Sequence, residues 1–234
     1  MTAIEWTDKT WNPVTGCTKV SPGCAHCYAE RMTERFDRQK FSEIVLHPSR
    51  LNAPLHWRKP RRVFVNSMSD LFHEDIPSAF ILDVFSVMNE AKQHTFQVLT
   101  KRAGRMLEWV SRYQEHPAPN IWLGVSCEDQ PRAAERIPFL VRIPAVVRFV
   151  SLEPLLGPID LSLARGGHDR SIGWVIVGGE SGPKARTMSL VWLRHIVERC
   201  RYYGIPVFVK QDSGRYPGMR GRIPDDLWVR EFPR

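Results

Sequence analysis

Residues 173–211 contain GWVIVGG (173–179), SLVWLRHIVERCRYYG (189–204) and IPVFVKQ (205–211). The first and last segments are short apolar runs rich in Val and Ile, which is typical of strands buried on both faces of a parallel sheet. The middle segment has apolar residues at 190, 193, 196 and 197, which predicts a helix that ends at Gly204. This stretch therefore predicts a β-α-β unit, and such units build parallel sheets.

The same alternation of strand and helix extends over the rest of the chain. Further strands are predicted at RRVFVNS (61–67), TFQVLT (95–100), NIWLGVS (120–126) and VVRFVS (146–151), runs that carry little alternation. Helices are predicted at 77–93, at 103–113, at 130–143 with an interruption at Pro138, and roughly over 25–38. The 234 residues are slightly fewer than the roughly 250 of a full eight-unit barrel. We therefore predict an α/β fold, a partial (β/α) TIM-like barrel of about six or seven βα units, with a doubly wound sheet as the alternative.

No long linker or low-complexity tract divides the chain, so a single domain is predicted over residues 1–234. Residues 212–234 are expected to form an irregular basic tail with an aromatic anchor near its end. The net charge of +8 suggests an anionic partner, and DNA or RNA is the commonest one. The alternative is that the basic side chains only keep the surface soluble.

Membrane insertion and secretion are not expected. No segment approaches the roughly 20 unbroken apolar residues that span a bilayer. The first residues, MTAIEWTDKTW, lack the basic start and apolar stretch of a signal peptide, so a cytoplasmic protein is predicted. Five cysteines in such a chain do not suggest a disulfide framework.

Three of the five cysteines, Cys17, Cys24 and Cys27, lie in the stretch NPVTGCTKVSPGCAHCYAE (12–30). Their spacing, C-x6-C-x2-C, leaves three possibilities open. A structural zinc usually needs a fourth ligand, for which His26 and His47 are candidates. A redox C-x2-C pair leaves Cys17 without a role. An iron–sulfur cluster held by three cysteines would leave one iron open to a ligand.

Polar residues follow nearly every predicted strand. Because active sites of β/α barrels lie at the carboxyl ends of the strands, these residues predict one polar site lined from several sides. The strand ends are NSMSD (66–70), LTKR (99–102), GVSCED (124–129), VSLEP (150–154), VGGESG (177–182) and VKQDSG (209–214).

The cysteine stretch resembles the radical S-adenosylmethionine (SAM) superfamily, whose usual spacing is C-x3-C-x2-C. The form NP-x-x-GC…C-x-x-CYA is similar to that of the branch containing spore photoproduct lyase, with three extra residues between the first two cysteines. The whole chain resembles the phage-associated three-Cys-motif (phage Gp-type) family of uncharacterised proteins. The matching segments are WNPVTGC, GCAHCYA, VFVNSMSDLFH, LTKR, SLEPLLGPI and VIVGGESG.

The resemblance implies an iron–sulfur enzyme. Cys17, Cys24 and Cys27 would ligate three irons of a 4Fe–4S cluster, and the open iron would bind SAM. An external electron donor would reduce the cluster, which would cleave SAM to a 5′-deoxyadenosyl radical. The substrate would be nucleic acid or a nucleotide, in repair or modification, and a three-Cys-motif partner protein is a further expectation. The alternative is a non-catalytic nucleic-acid-binding module with a structural zinc or iron–sulfur site.

The resemblance also suggests roles for the strand ends. Ser67, Ser69 and Asp70 are expected near the amino group of SAM, and Lys101, with Arg102 beside it, near its carboxylate. Ser126 and Glu128 suit the ribose hydroxyls, and His26 would pack near the adenine. The remaining cofactor-binding candidates are Glu153, Gly178, Gly179 and Glu180.

Most of these residues also have a simpler interpretation. Asp70 could cap a helix, Lys101 could be a surface charge and Glu153 could be a turn residue. Cys127 is a candidate for hydrogen-atom transfer in catalysis, and its alternative is a packed core thiol.

Overall fold

A curled parallel sheet dominates the structure, a computed structural model that describes residues 4–36, 40–114, 118–164 and 172–233. The strands in chain order are β1 (Lys9–Trp11), β2 (Val14–Thr15), β3 (Val45–Leu46), β4 (Arg62–Val65), β5 (Thr95–Thr100), β6 (Ile121–Ser126), β7 (Arg148–Leu152), β8 (Trp174–Gly178) and β9 (Val207–Gln211). Seven of them pair in parallel in the order β1-β4-β5-β6-β7-β8-β9, and β2 pairs with β3 in an antiparallel ribbon.

The order of the large sheet never reverses, unlike that of a doubly wound sheet. The sheet curls into a half-barrel, which confirms the predicted α/β class and is compatible with a partial barrel. Each of the six predicted strand segments overlaps one observed strand, and only β7 extends past its segment, by one residue. The seventh, β1, is only three residues long and produces no apolar run that a pattern could detect.

Five α-helices lie in the segments predicted to be helical: α1 (Tyr28–Phe36), α2 (Ser78–Glu90), α3 (Ala103–Tyr113), α4 (Gln130–Leu140) and α5 (Leu190–Tyr203). Short 3-10 helices occupy Pro22–Cys24, Pro48–Arg50, Ala53–His56, Leu161–Ala164 and Asp225–Leu227. Gly204 ends α5 in a left-handed conformation, φ 66°, as predicted. Helix α4 continues through Pro138 and ends two residues later, and positions 37 and 38 of the first predicted helix lie outside the described residues.

The two faces of the half-barrel have different cores. Valines and leucines of the strands pack outward against the helices, as Val63 and Val65 do in β4. Between them Phe64 points to the concave side, where Phe149 and Trp174 join the same inner cluster. In β4 and β9, outward-facing valines therefore alternate with an inward-facing phenylalanine. The sequence pattern shows little alternation because both kinds of residue are apolar.

Gly124 lies on the inner face, paired in register with Leu99 on one side and Phe149 on the other. A Cβ at this position would lie 2.6 Å from the ring of Phe149, which is fully buried. We expect Gly124→Ala to lower the free energy of unfolding by about 1–3 kcal/mol, because the ring has no room to move.

Urea denaturation would measure this effect, with Gly104→Ala as the matched control. Gly104 is exposed in α3, and the nearest atom to its added Cβ would be 3.9 Å away. Alanine there is expected to stabilise the protein by about 0.5–1 kcal/mol. Equal effects of the two substitutions would contradict the tight inner packing.

Side chains from both ends of the described chain close the open side of the half-barrel. Trp6 and Phe232 pack against Trp174, with ring centroids 6.3 and 5.4 Å from it. Arg230 forms an ion pair with Glu5 at 3.0 Å. Residues 229–231 also pair with β9 through backbone hydrogen bonds, so the C-terminal tail covers that edge of the sheet.

None of the helices in the described parts of the chain is long and apolar enough to cross a membrane.

Candidate active site

A cavity of about 250 Å³ lies at the carboxyl ends of the sheet strands, next to the cysteine loop, residues 12–30. All three clustered cysteines, Cys17, Cys24 and Cys27, line it. Its lining also includes ten of the predicted residues: His26, Ser67, Ser69, Asp70, Lys101, Arg102, Ser126, Glu153, Gly179 and Glu180. The structure therefore brings residues from five strand ends together with the cysteines.

The part of the cysteine loop that carries the thiols follows a constrained glycine. Gly16 has φ +92°, and an added Cβ would lie 2.0 Å from the carbonyl oxygen of Glu43. Its N–H donates to the carbonyl of Met68 at 3.1 Å, and the N–H of Cys17 donates to the carbonyl of Phe41 at 2.7 Å. Only glycine fits this conformation and this close approach, so Gly16 fixes the direction in which Cys17 leaves the sheet.

Arg102 connects the cysteine loop to the ends of β4 and β5. Its Nη1 lies 3.1 Å from Asp70 Oδ2 and 3.7 Å from the sulfur of Cys17. Its Nη2 donates to Thr18 Oγ1 at 2.9 Å and its Nε donates to Glu74 at 2.7 Å. The predicted cation is therefore fully engaged by the protein itself, and it positions the start of the loop.

Asp70 is 6% exposed and accepts several hydrogen bonds from the protein. The donors are the Thr100 hydroxyl at 2.6 Å and the N–H groups of Lys101 and Phe72, each at 3.0 Å. Together with Arg102, they satisfy the carboxylate. Asp70 thus holds parts of the cavity wall together. A cofactor amino group in the predicted contact would have to share the Asp70 oxygens with these donors.

His73 supports the same loop from beneath and was not identified from the sequence. It is completely buried, and its Nδ1 accepts from the N–H of Asp75 at 3.1 Å. Its Nε2 therefore carries the proton and donates to Thr18 Oγ1 at 2.8 Å. Burial, followed by the charge of Arg102, lowers the pKa of His73, which keeps the ring neutral.

Glu128 anchors the middle of the loop instead of facing the cavity. It is fully buried, and its Oε1 accepts from the N–H of Gly23 at 3.0 Å. Arg136, which is 2% exposed, lies 3.3 Å from Oε2. Burial alone would raise the pKa of Glu128, but hydrogen bonds from Ser21 and Gly23 lower it. The predicted contact with ribose hydroxyls is not supported, because Glu128 is used within the protein and lies outside the cavity lining.

Glu180 at the end of β8 holds the last part of the loop. Its Oε2 lies 2.9 Å from His26 Nδ1, and it also forms an ion pair with Arg186. Arg186 in turn donates to the carbonyl of Pro22 at 3.0 Å. Burial alone would raise the pKa of Glu180, but the hydrogen bonds from Arg186 and His26 lower it to about 2.

This shift predicts a measurable pH dependence. The unperturbed pKa of Glu180 is 4.5, so its stabilising effect is complete above about pH 4.5 and is lost as the pH falls towards about 2. We expect Glu180→Gln to flatten the dependence of unfolding free energy on pH in this range. Urea denaturation at a series of pH values would measure it. Glu108→Gln, on the exposed side of α3, serves as the control, and a wild-type slope in the Glu180→Gln variant would contradict the prediction.

Lys101 and Ser126 face the cavity together, with Lys101 Nζ donating to Ser126 Oγ at 2.9 Å. Among the lining lysines and arginines of the described chain, Lys101 has no carboxylate within ion-pair distance. Ser67 donates to Asn12 Oδ1 at 3.2 Å, and the buried hydroxyl of Ser69 has no hydrogen-bond partner in the described chain. Lys101 is therefore the lining cation with the most free hydrogen-bonding capacity for an anion.

Glycines 178 and 179 make close contacts with the protein's own chain. An added Cβ on Gly178 would lie 3.1 Å from Glu153 Oε1, and one on Gly179 would lie 2.3 Å from the backbone nitrogen of Ser213. The close approach predicted at these positions thus accommodates Glu153 and the loop after β9. Gly178 itself is absent from the cavity lining.

Cys127 lies outside the cavity lining, in the core between sheet and helices. It is fully buried, and burial raises the pKa of its thiol to about 12. No contact with the cavity supports the predicted hydrogen-atom transfer.

The three loop thiols are free, and each is partly exposed. Within the described residues, no three His, Cys, Asp or Glu side chains are positioned to hold a metal ion as the loop stands. Burial, followed by the charge of Asp70, raises the pKa of Cys17 to about 11, while Arg102 favours its thiolate. Three soft thiol ligands on one loop suit an iron–sulfur cluster, and the loop would have to draw them together and release their protons.

The zinc alternative has less support. His26 is hydrogen-bonded to Glu180, and His47 lies outside the cavity lining with its Nε2 2.8 Å from Thr15 Oγ1. Either histidine would have to leave its partner to complete a tetrahedral site.

The sequence match identifies the family of the chain. A family model described as "Protein of unknown function (DUF5131)" matches residues 1–223. The chain belongs to this family. Neither the curated proteins nor the solved structures contain a significant match. Because the family description names no activity, the likeness to radical-SAM enzymes and the phage association stay predictions.

In this DUF5131 chain, several lining residues were not assigned a role from the sequence. Lys210 lies 2.9 Å from Glu153 Oε1, and Ser151 donates to Glu153 Oε2 at 3.1 Å. Trp6 and Phe64 form an apolar part of the lining. The sequence did contain a signal for Lys210. Residues two apart in a strand face the same side of the sheet, and Phe208, two residues earlier in the same strand, faces inward.

Proposed function

We propose that this protein is an iron–sulfur enzyme of the radical-SAM type. The observation that carries the proposal is that Cys17, Cys24 and Cys27 all line one cavity at the carboxyl edge of a parallel half-barrel. In β/α barrels this edge carries the catalytic residues. In the proposal, the three thiolates hold a 4Fe–4S cluster whose fourth iron is open to SAM.

When bound, the reduced cluster and SAM would supply the difficult chemistry, which is the removal of a hydrogen atom from a substrate. The chain's own residues bind, orient and shield. Arg102 favours the thiolate form of Cys17, and Lys101, which donates to Ser126 and has no carboxylate partner among the described residues, provides further N–H donors for the SAM carboxylate. His26, fixed by Glu180, lies beside Cys27 at the lining, where an adenine would pack.

One wall of the cavity is apolar. Its residues Ile4, Trp6, Phe64 and Leu99 belong to the inner core or pack against it. Hydrogen bonds and ion pairs hold the cysteine loop at Cys17, Gly23 and His26. In the proposal, the apolar wall and the fixed loop would shield a reactive intermediate on the inner side of the cavity.

Nucleic acid or a nucleotide remains the proposed substrate, and the charge of +8 supports it. Many arginines are engaged internally, however: Arg62 pairs with Asp8, Arg220 with Asp225 and Arg222 with Asp212. The support therefore comes from the overall charge rather than from a defined binding stripe.

The test is anaerobic purification of the full chain, followed by measurement of iron, sulfide and zinc. We expect about four irons and four sulfides per chain, and a changed electron paramagnetic resonance signal of the reduced cluster on addition of SAM. Release of 5′-deoxyadenosine with a competent reductant would complete the evidence. One tightly bound zinc with no iron would instead support a structural metal in a nucleic-acid-binding module.

A further inference from the structure

The far wall of the cavity carries an ion pair for which the proposed function has no use. Glu153 follows β7 and Lys210 lies in β9, at the opposite end of the sheet from β4, whose end carries Asp70. Both line the cavity, and their side chains are 14% and 19% exposed. Lys210 Nζ lies 2.9 Å from Glu153 Oε1.

The carboxylate of Glu153 is held in place from several sides. Ser151 donates to its Oε2 at 3.1 Å. Gly178 leaves room for Oε1, since an added Cβ there would lie only 3.1 Å away. Oε1 itself is buried and makes no hydrogen bond of good geometry within the described chain, although Lys210 is close enough for an ion pair. The partly exposed side chains of Glu153 and Lys210, a carboxylate and an ammonium group with unused donors, therefore stand side by side at the cavity wall.

A largely buried ion pair is costly to desolvate and is weak evidence for stability, so this pair at the cavity wall is compatible with a role in binding. Glu153 can accept a hydrogen bond and Lys210 beside it can donate one. The two side chains therefore match a ligand edge that has a donor next to an acceptor. The pyrimidines and guanine have such edges, and enzymes that act on a base outside the stack read it by these hydrogen bonds.

The rest of the lining suits a flat ring. Trp6 and Phe64 pack together with ring centroids 4.7 Å apart, and both line the cavity with Leu99. Trp6 and Phe64 are only 2% and 8% exposed, so they form an apolar wall for a flat ring rather than open stacking faces. The apolar wall and the polar pair suit different parts of one heteroaromatic group.

We propose that Ser151, Glu153 and Lys210 form the substrate subsite and that it binds the hydrogen-bonding edge of a nucleobase. This inference rests on the proposed function and names the substrate class for it. Cys17, Asp70 and Lys101 face the cofactor on the β4–β5 side, and the nucleobase lies against β7 and β9.

Binding of nucleosides to the anaerobically reconstituted full chain, without reductant, tests the inference by calorimetry. The probes are cytidine, uridine and guanosine, with purine riboside as a control that lacks a donor on its edge. Adenosine is left out because it would also occupy a site for the adenine of SAM. We expect at least one probe to bind about tenfold or more tightly than purine riboside.

Lys210→Met and Glu153→Gln are each expected to weaken that binding about tenfold or more. Lys59→Met, an exposed residue outside the cavity lining, is the matched control and should have no effect. SAM binding should stay unchanged in both variants. Ser151→Ala provides a milder variant if Glu153→Gln fails to fold.

Equal affinity for all four nucleosides, or unaltered binding by the Lys210→Met and Glu153→Gln variants, would overturn the subsite. Cluster and SAM binding without nucleoside binding would overturn it while leaving the proposed function intact. Edge-dependent nucleoside binding in a protein that never cleaves SAM would support the subsite and count against the proposed function.

Discussion

Each of the substitutions Cys17→Ser, Cys24→Ser and Cys27→Ser is expected to abolish cluster assembly and SAM cleavage. Each of these cysteines lines the cavity, and the proposed cluster has no spare protein ligand among them. A serine hydroxyl is harder and far less acidic than a thiol, so it does not replace a thiolate ligand. We expect the iron content of each variant to fall at least tenfold from about four per chain. Iron and sulfide analysis after anaerobic reconstitution measures this.

Cys127→Ala and Cys200→Ala are the matched controls for the loss of a thiol. Both residues are fully buried, and neither lines the cavity. They are expected to lose some stability but to assemble the cluster as the wild type does. Circular dichroism establishes that all variants are folded. Full iron content in any of the three serine variants would remove that cysteine from the ligand set.

Arg102→Met is expected to have the largest effect on stability among the residues of the site. The side chains of Arg102 and Asp70 are only 9% and 8% exposed, so the substitution leaves a buried carboxylate without its ionic partner. Breaking such a pair costs about 3–5 kcal/mol in free energy of unfolding. The substitution also removes the donor next to the sulfur of Cys17, so cluster assembly is expected to fall as well.

Denaturant unfolding compares this variant with Arg112→Met, which alters an exposed arginine of the same helix, α3. The control should change stability by less than about 0.5 kcal/mol. Asp70→Asn added to Arg102→Met should recover part of the loss, because no buried charge then lacks a partner. Similar unfolding curves for the Arg102→Met and Arg112→Met variants would show that the network at Cys17 contributes little.

The elements of the fold were predictable because their signals are local. The helix at 103–113 has the same limits in the sequence prediction and in the structure, and the run TFQVLT matches β5 residue for residue. Strand β1 was not among the apolar runs because three residues carry too little pattern. Alternation of aromatic and aliphatic residues between inner and outer faces was hidden because hydrophobicity alone does not separate them.

The site was predictable only in outline. Strand-end position placed Asp70 and Lys101 at one site, the resemblance added the cysteines to it, and all of these residues line one cavity. It could not show that Glu128 turns to Gly23, a partner 105 residues away in sequence, or that Lys210 meets Glu153 across β8. Such pairings join segments that are far apart in the sequence, and no local sequence pattern indicates which distant side chains will meet.

The ion pair between Glu5 and Arg230 brings two distant stretches of the chain within 3.0 Å of each other. Proximity of this kind makes circular permutation feasible, since a short peptide could join these stretches while new termini are opened in an exposed loop elsewhere. The permuted chain would remain linear, and Trp6, which packs in the inner core cluster, would lie close to the new join.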